Sequence, residues 1–256
     1  MAIIALKAWY IEQYEPIREL EKRPHDLRLS KNSLLKTGLR ADFLEDGEQI
    51  KNSRWFQRYL DGETIEFYIQ GSGSYAISNI DLTSHEIYFT KQTAIANLEP
   101  TIFLSYQTEQ EVSGEALRNA VQTSLEKLNQ RSRLPLKLVL SPRPSDAPFR
   151  LSKAQLRKIS KSLLFIADST PIASISGEEN LQLILNPHVC LETGYALHSK
   201  RTEQILLVQM ELPDLSGISP FDLPSHQMLL FKNPQELEIT LPSVMETMLQ
   251  RFNLFS

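Results

Sequence analysis

"TIFLSYQTEQEVSGEALRNAVQTSLEKLNQ", residues 101–130, decides how the larger part of this chain folds. Its first six residues are almost wholly apolar and do not alternate with charge, the pattern of a strand buried on both faces. A polar break follows, and then Val112, Ala116, Ala120, Ser124 and Leu128 recur at four-residue spacing, a helical stripe. Such a strand feeding such a helix is half of a β-α-β crossover. Downstream the alternation continues: "LKLVL", a Pro-rich loop "SPRPSDAPF", a helix "LSKAQLRKIS", the strand "SLLFIAD", a helix after Asn186, the strand "QILLVQM", a short run "QMLLF" and a last helix around "SVMETMLQRF". Helices between buried strands imply right-handed crossovers and a parallel sheet. The spacing predicts a doubly wound α/β unit over residues 100–256.

The first 95 residues have another texture. "TIEFYIQ", "YAISNI" and "EIYFT" are short strand-like runs separated by "GSGS" and "DLTSH", which predicts an antiparallel meander. The glycines at 71–74 precede no helical pattern, so they read as a hairpin turn and not as a phosphate loop. "IEQYEPIRELEKR" and "SRWFQRYLDGE" read as short helices, making residues 1–95 a small α+β unit with no catalytic constellation.

Composition narrows the partners. With 27 basic and 31 acidic residues and no long block of one sign, the chain lacks the electrostatic footprint of a nucleic-acid binder. No stretch approaches the roughly 18 apolar residues a membrane helix needs, and the opening "MAIIALKAWYIEQYEP" lacks the parts of a signal peptide. The single cysteine, Cys190, excludes an internal disulfide framework and a cysteine-rich zinc site. A cytoplasmic protein with no membrane partner is expected.

Ligands of open parallel sheets bind outside the carboxyl ends of the strands. That edge selects Ser105 and Tyr106 after the first strand, Asp168 after "LLFIA", and the loop "STPIASISGEENLQLILNP" leading to Asn186 and a helix that carries Glu192. The Pro-rich loop with Arg143 and Asp146 opens there too. Neither GxGxxG nor GxxxxGK[ST] is present, so a nucleotide would be held by side chains and loops. On the helix from Pro187, His188, Glu192 and Tyr195 share one side, and Cys190, Gly194 and Leu197 another. Glu192 reads either as a working carboxylate or as a surface residue favoured by the helix dipole. Asn186 reads as a helix cap or a ligand contact, and Tyr195 as a base or ribose contact or a half-buried aromatic. His188 reads as a solvent-facing residue of the first turn or a neighbour of Glu192, and Cys190 as a core thiol.

"TIFLSY" with its helix resembles the opening of Toll/interleukin-1 receptor (TIR) domains. "ADSTP" followed by "NPHVCLETGYAL" is similar to a segment of bacterial TIR-like proteins, and "SPFDLPSHQMLLF" resembles their closing segment. The Glu-x-Gly-Tyr-Ala string also resembles nucleoside 2-deoxyribosyltransferases, a related flavodoxin-like group. The resemblance spans residues 100–252. It implies cleavage of an N-glycosidic bond, with Glu192 as the carboxylate that stabilises or attacks the oxocarbenium-like centre. It further implies NAD+ as substrate, hydrolysed or cyclised with no cofactor or metal, a bacterial antiphage or toxin-like setting, self-association into a homo-oligomer, and a sensing, restraining or assembling role for residues 1–95. Asp168 matches a position that meets sugar hydroxyls in the transferases. The alternatives implied are a deoxyribosyltransferase-like nucleotide-processing or nucleotide-binding protein, and a non-catalytic interaction module. Many TIR NAD hydrolases carry a Trp-containing loop shortly before their Glu, and here Trp9 and Trp55 both fall in the first unit. Base stacking is therefore expected from Arg143 and Phe149.

Overall fold

Six strands, not three, run through the described residues of the first hundred. The computed structural model describes residues 5–30, 39–91, 98–143, 150–176, 180–215 and 217–255. It divides into two compact units, Met1–Leu98 and Glu99–Ser256. In the first, β1 (Ala5–Tyr10), β2 (Leu27–Ser30) and β3 (Leu39–Asp42) join the expected meander of β4 (Glu66–Ile69), β5 (Gly73–Asp81) and β6 (Glu86–Lys91). All neighbours pair antiparallel, in the order β2-β1-β4-β5-β6-β3. A bridge from Leu29 to Phe43 brings the two outer strands together, so the sheet is nearly closed. Its inside is filled by Leu27, Leu29, Ile50, Trp55, Phe67, Ile87 and Phe89, with Trp55 set edge-on to Phe67 at 5.1 Å between centroids.

Of the helix expected from residue 11, only α1 (Ile17–Leu20) forms. Pro16 is the reason: its ring fixes φ, and its missing N–H and bulk bar a helix from running through it. Further on lie α2 (Gly47–Lys51) and α3 (Arg54–Leu60), the latter capped by Ser53, whose hydroxyl accepts from the Phe56 N–H. The 71–74 turn is a hairpin between β4 and β5, and Gly71 and Gly73 supply its positive φ values of 69° and 121°.

The second unit is built on a five-stranded parallel sheet. Its strands are β7 (Glu99–Ser105), β8 (Lys137–Leu140), β9 (Ser162–Asp168), β12 (Ile205–Met210) and β13 (Met228–Phe231), in the order β13-β12-β9-β7-β8. Between them run α4 (Glu111–Asn129), α5 (Lys153–Lys161) and α6 (Pro187–Ser199), and α7 (Pro234–Gln250) follows the last strand. Strand β9 is buried at every position, which is why it reads as an unbroken apolar run. Phe103, Phe165, Ala167, Ile205 and Leu207 pack with Ile159 of α5 and with Val189 and Ala196 of α6. The alternate residues of the same strands face the other way, where α4 and α7 pack against each other. No helix among the described residues is long and apolar enough to cross a membrane.

Three local expectations change. The segment 172–184, read as loop, contains a hairpin of β10 (Ala173–Ser176) and β11 (Leu181–Ile184). Helix α7 begins at Pro234 and passes through Pro242, because Leu237, Leu241, Met245 and Leu249 form one fully buried stripe whose packing outweighs the lost hydrogen bond. Val112 is exposed, and the stripe of α4 instead starts at Ser113.

Candidate active site

Helix α6 starts where "NP" places it. The Asn186 side-chain oxygen accepts from the His188 and Val189 N–H groups at 2.8 and 3.1 Å, and Pro187 takes the first helical position. Asn186 thus caps the helix, and its Nδ2 donates to Glu109 at 2.6 Å. The buried stripe of α6 is Val189, Glu192, Thr193 and Ala196. A carboxylate therefore occupies a core position of an otherwise apolar or neutral face, and Glu192 has no exposed surface. The surface-carboxylate reading is ruled out by this burial.

A buried carboxylate needs hydrogen-bond donors and charge compensation. Four residues supply them. Ser105, the last residue of β7, donates its hydroxyl to Oε2 at 2.5 Å. Ser141, immediately after β8, donates to Oε1. Gln155, in the first turn of α5, donates Nε2 to Oε1 at 2.6 Å. Arg143 completes the set, its Nη2 lying 3.1 Å from Oε2 and its Nη1 3.3 Å from Oε1 in an end-on bidentate pair. Arg143 is itself fixed: Nε donates to the Tyr106 carbonyl at 2.7 Å, and the guanidinium carbon lies 5.2 Å from the Tyr106 ring centroid. Its side chain keeps 6% exposure against none for Glu192, so both partners of the ion pair are buried.

Asp168 stands at the same sheet edge, but alternation along β9 turns it to the α4 face, away from Glu192. It is fully buried and meets only neutral groups: Ser113 Oγ at 3.0 and 3.1 Å and the Thr170 N–H at 3.0 Å. Burial raises its carboxyl above the ordinary 3.8, and the Thr170 and Ser113 hydrogen bonds offset part of the rise. Nearby, the Thr170 hydroxyl accepts from the Met210 N–H at 2.9 Å and touches Ser113 Oγ at 2.7 Å.

The structure therefore gathers Ser105, Arg143 and Glu192, with the Tyr106 carbonyl and ring behind them, and leaves Asp168 and Asn186 outside that cradle. Tyr195 is half-buried and packs against the α5/α6 core cluster. Arg143, expected to stack on a base, is an ion-pair partner. Asp146 and Phe149 lie outside the described residues. Cys190 is a free, half-buried thiol whose pKa burial pushes up. Ser141 and Gln155 were not anticipated; Ser141 obeys the strand-end rule that selected Ser105, whereas nothing in the sequence marks Gln155. Among the described residues, no group of three or more His, Cys, Asp or Glu is placed to hold a metal ion.

Chemically, the cradle places a single buried carboxylate at the carboxyl edge of a parallel sheet, held by three neutral donors and one long cationic side chain. Comparison with known protein families, curated proteins and solved structures returns no match to this chain.

Proposed function

We propose that this protein cleaves the nicotinamide–ribose bond of NAD+, with Glu192 as the catalytic carboxylate of a TIR-like unit. The carrying observation is Glu192 itself: a wholly buried carboxylate placed among Ser105, Ser141, Gln155 and Arg143 at a sheet edge where ligands bind. The strand order, 2-1-3-4-5 when counted within the unit, is the flavodoxin-like doubly wound order and supports the reading. The order reverses beside β7, the strand that supplies Ser105.

In the reaction the C1′–N bond breaks and its electron pair returns to the pyridinium nitrogen, leaving neutral nicotinamide. No general acid is needed, because the leaving group departs from a cation. Positive charge collects on C1′ and the ring oxygen, and the Glu192 carboxylate stabilises it or bonds to C1′. The oxygen of water then bonds to C1′, any C1′–Oε bond breaks with its electron pair returning to the carboxylate, and a proton leaves to solvent, giving ADP-ribose; a nucleophile of the same molecule in place of water gives a cyclic product. The neutral donors Ser105, Ser141 and Gln155 hold the carboxylate in position throughout, and their fixed dipoles need no reorganisation.

Consumption of NAD+ would suit a defence or toxin-like role in bacteria, with assembly into homo-oligomers and residues 1–98 sensing or restraining. Growth arrest on expression of wild type but not of Glu192→Gln is the expected sign. The direct test is chromatography of nicotinamide released from NAD+ by concentrated purified protein. Wild type releasing nicotinamide while Glu192→Gln does not supports the reading, and equal release from both ends it. Release from deoxynucleosides alone would move the assignment to deoxyribosyl transfer.

A further inference from the structure

The parallel sheet has a second edge, and it carries a cavity. All five strands run the same way, so the turns that precede β12 and β13 lie at the amino edge, opposite the edge that carries Ser105 and Ser141. There the turn Thr202–Gln204, the turn Ser225–Gln227 and the end of α7 surround a cavity of about 400 Å³, lined by Glu203, Gln227, Thr247, Met248 and Arg251. That volume falls in the range of small-molecule sites, roughly 300–1,000 Å³. Gln227 is the residue that points to a ligand. Its side chain is 1% exposed, yet its Oε1 has no hydrogen-bond partner among the described residues. A buried acceptor left unmatched is uncommon and destabilising, and this one belongs to a residue of the cavity wall. Beside it, Met248 supplies apolar surface, and the Thr247 hydroxyl, which donates to the Ser243 carbonyl at 2.9 Å, keeps its capacity to accept. The remaining two wall residues carry opposite charges side by side, Arg251 Nη1 lying 3.3 Å from Glu203 Oε2. A bare anion would meet Glu203 and a bare cation would meet Arg251, whereas a ligand that carries both charges complements both. Their own pair is exposed and contributes little, so exchanging it for a ligand costs little.

We propose that this cavity binds a free α-amino acid with an apolar side chain, its carboxylate on Arg251, its ammonium between Glu203 and the Gln227 acceptor, and its side chain against Met248. An α-amino acid holds its two charges one carbon apart, which matches a carboxylate and a guanidinium already in contact. Its ammonium has three donors, enough for Glu203 and for the unmatched Gln227 oxygen together. The site is independent of the glycosidic reading of Glu192, since it shares no residue with that cradle and sits at the other edge of the sheet.

Calorimetric titration of the full chain with L-leucine and L-phenylalanine tests this, beside their amides, which lack the carboxylate, and their deamino acids, which lack the ammonium. At least one amino acid is expected to bind saturably, with its amide and its deamino acid each at least about tenfold weaker. Arg251→Gln, at an exposed position, should weaken binding about tenfold, and Met248→Trp, which fills the cavity, should abolish it. Gln227→Leu removes the unmatched acceptor, so it should keep or raise the melting temperature while weakening binding about tenfold. A Gln227 whose role is purely structural would instead lose melting temperature and leave binding as it was. No saturable heat from either amino acid up to about 10 mM, with the protein folded by circular dichroism, overturns the proposal. Analogues that bind as tightly as the amino acids overturn it too, as does binding that both Arg251→Gln and Met248→Trp leave unchanged.

Discussion

Two buried carboxylates stand at one sheet edge, on opposite faces, and they are solvated in different ways. Glu192, on the α5/α6 face, has a bidentate arginine and three neutral donors. Asp168, on the α4 face, has hydroxyl and amide donors and, among the described residues, no cation. Burial raises the Asp168 carboxyl above its value in the unfolded chain. The contrast separates tasks. Glu192 is held through an ion pair to a side chain from the loop after β8, whereas Asp168, held among hydroxyls, ties a strand end to a helix.

The largest effect should come from unbalancing the paired side. Arg143→Ala strands a buried carboxylate and should lower unfolding stability by about 3–5 kcal/mol, as measured by urea denaturation. Adding Glu192→Gln to it should restore most of that loss; a double variant no more stable than the single would show that the pair is not the source. On the α4 face, Gly114→Ala places a Cβ 2.5 Å from the Gln107 carbonyl oxygen and should cost about 1–3 kcal/mol by the same assay. An unchanged denaturation midpoint would mean the helix start shifts freely.

Smaller still is the cap that sets the start of the Glu192 helix. Asn186→Ala removes the acceptor for two N–H groups and should cost about 1 kcal/mol, seen as a lower melting temperature. The last prediction is a slope. Because the Asp168 carboxyl is raised in the folded state, the unfolded chain ionises first as pH rises. Its contribution to stability is intact below the ordinary carboxylate value and is lost as pH climbs through the raised one. Asp168→Asn should flatten that part of the stability–pH curve, and a curve parallel to wild type would refute the assignment.

Much of this site was legible because strand ends are legible. Wholly apolar runs located β7 and β9, and the residues after them, Ser105 and Asp168, followed from the geometry of parallel sheets. The same rule reaches Ser141, directly after β8, but the Pro-rich loop beyond drew attention to Arg143 as a stacking group instead. Gln155 sits on a helix turn whose packing only the fold reveals. That Glu192 faces inward was also hidden, since the wheel grouped it with His188 and Tyr195 while burial groups it with Val189, Thr193 and Ala196. In the first unit, "LRLS" and "LRAD" are four-residue strands carrying arginines, too short for period-two alternation to stand out. They become strands because neighbours distant in sequence complete their ladders.

The most direct measurement is nicotinamide release from NAD+ by Glu192→Gln and Asp168→Asn side by side with wild type, each normalised to its folded fraction by circular dichroism. Glu192→Gln is expected to lose on the order of 10²–10³ in rate while Asp168→Asn stays within a few-fold of wild type. Full activity in folded Glu192→Gln, or equal silencing by Asp168→Asn, would contradict the assignment of catalysis to Glu192.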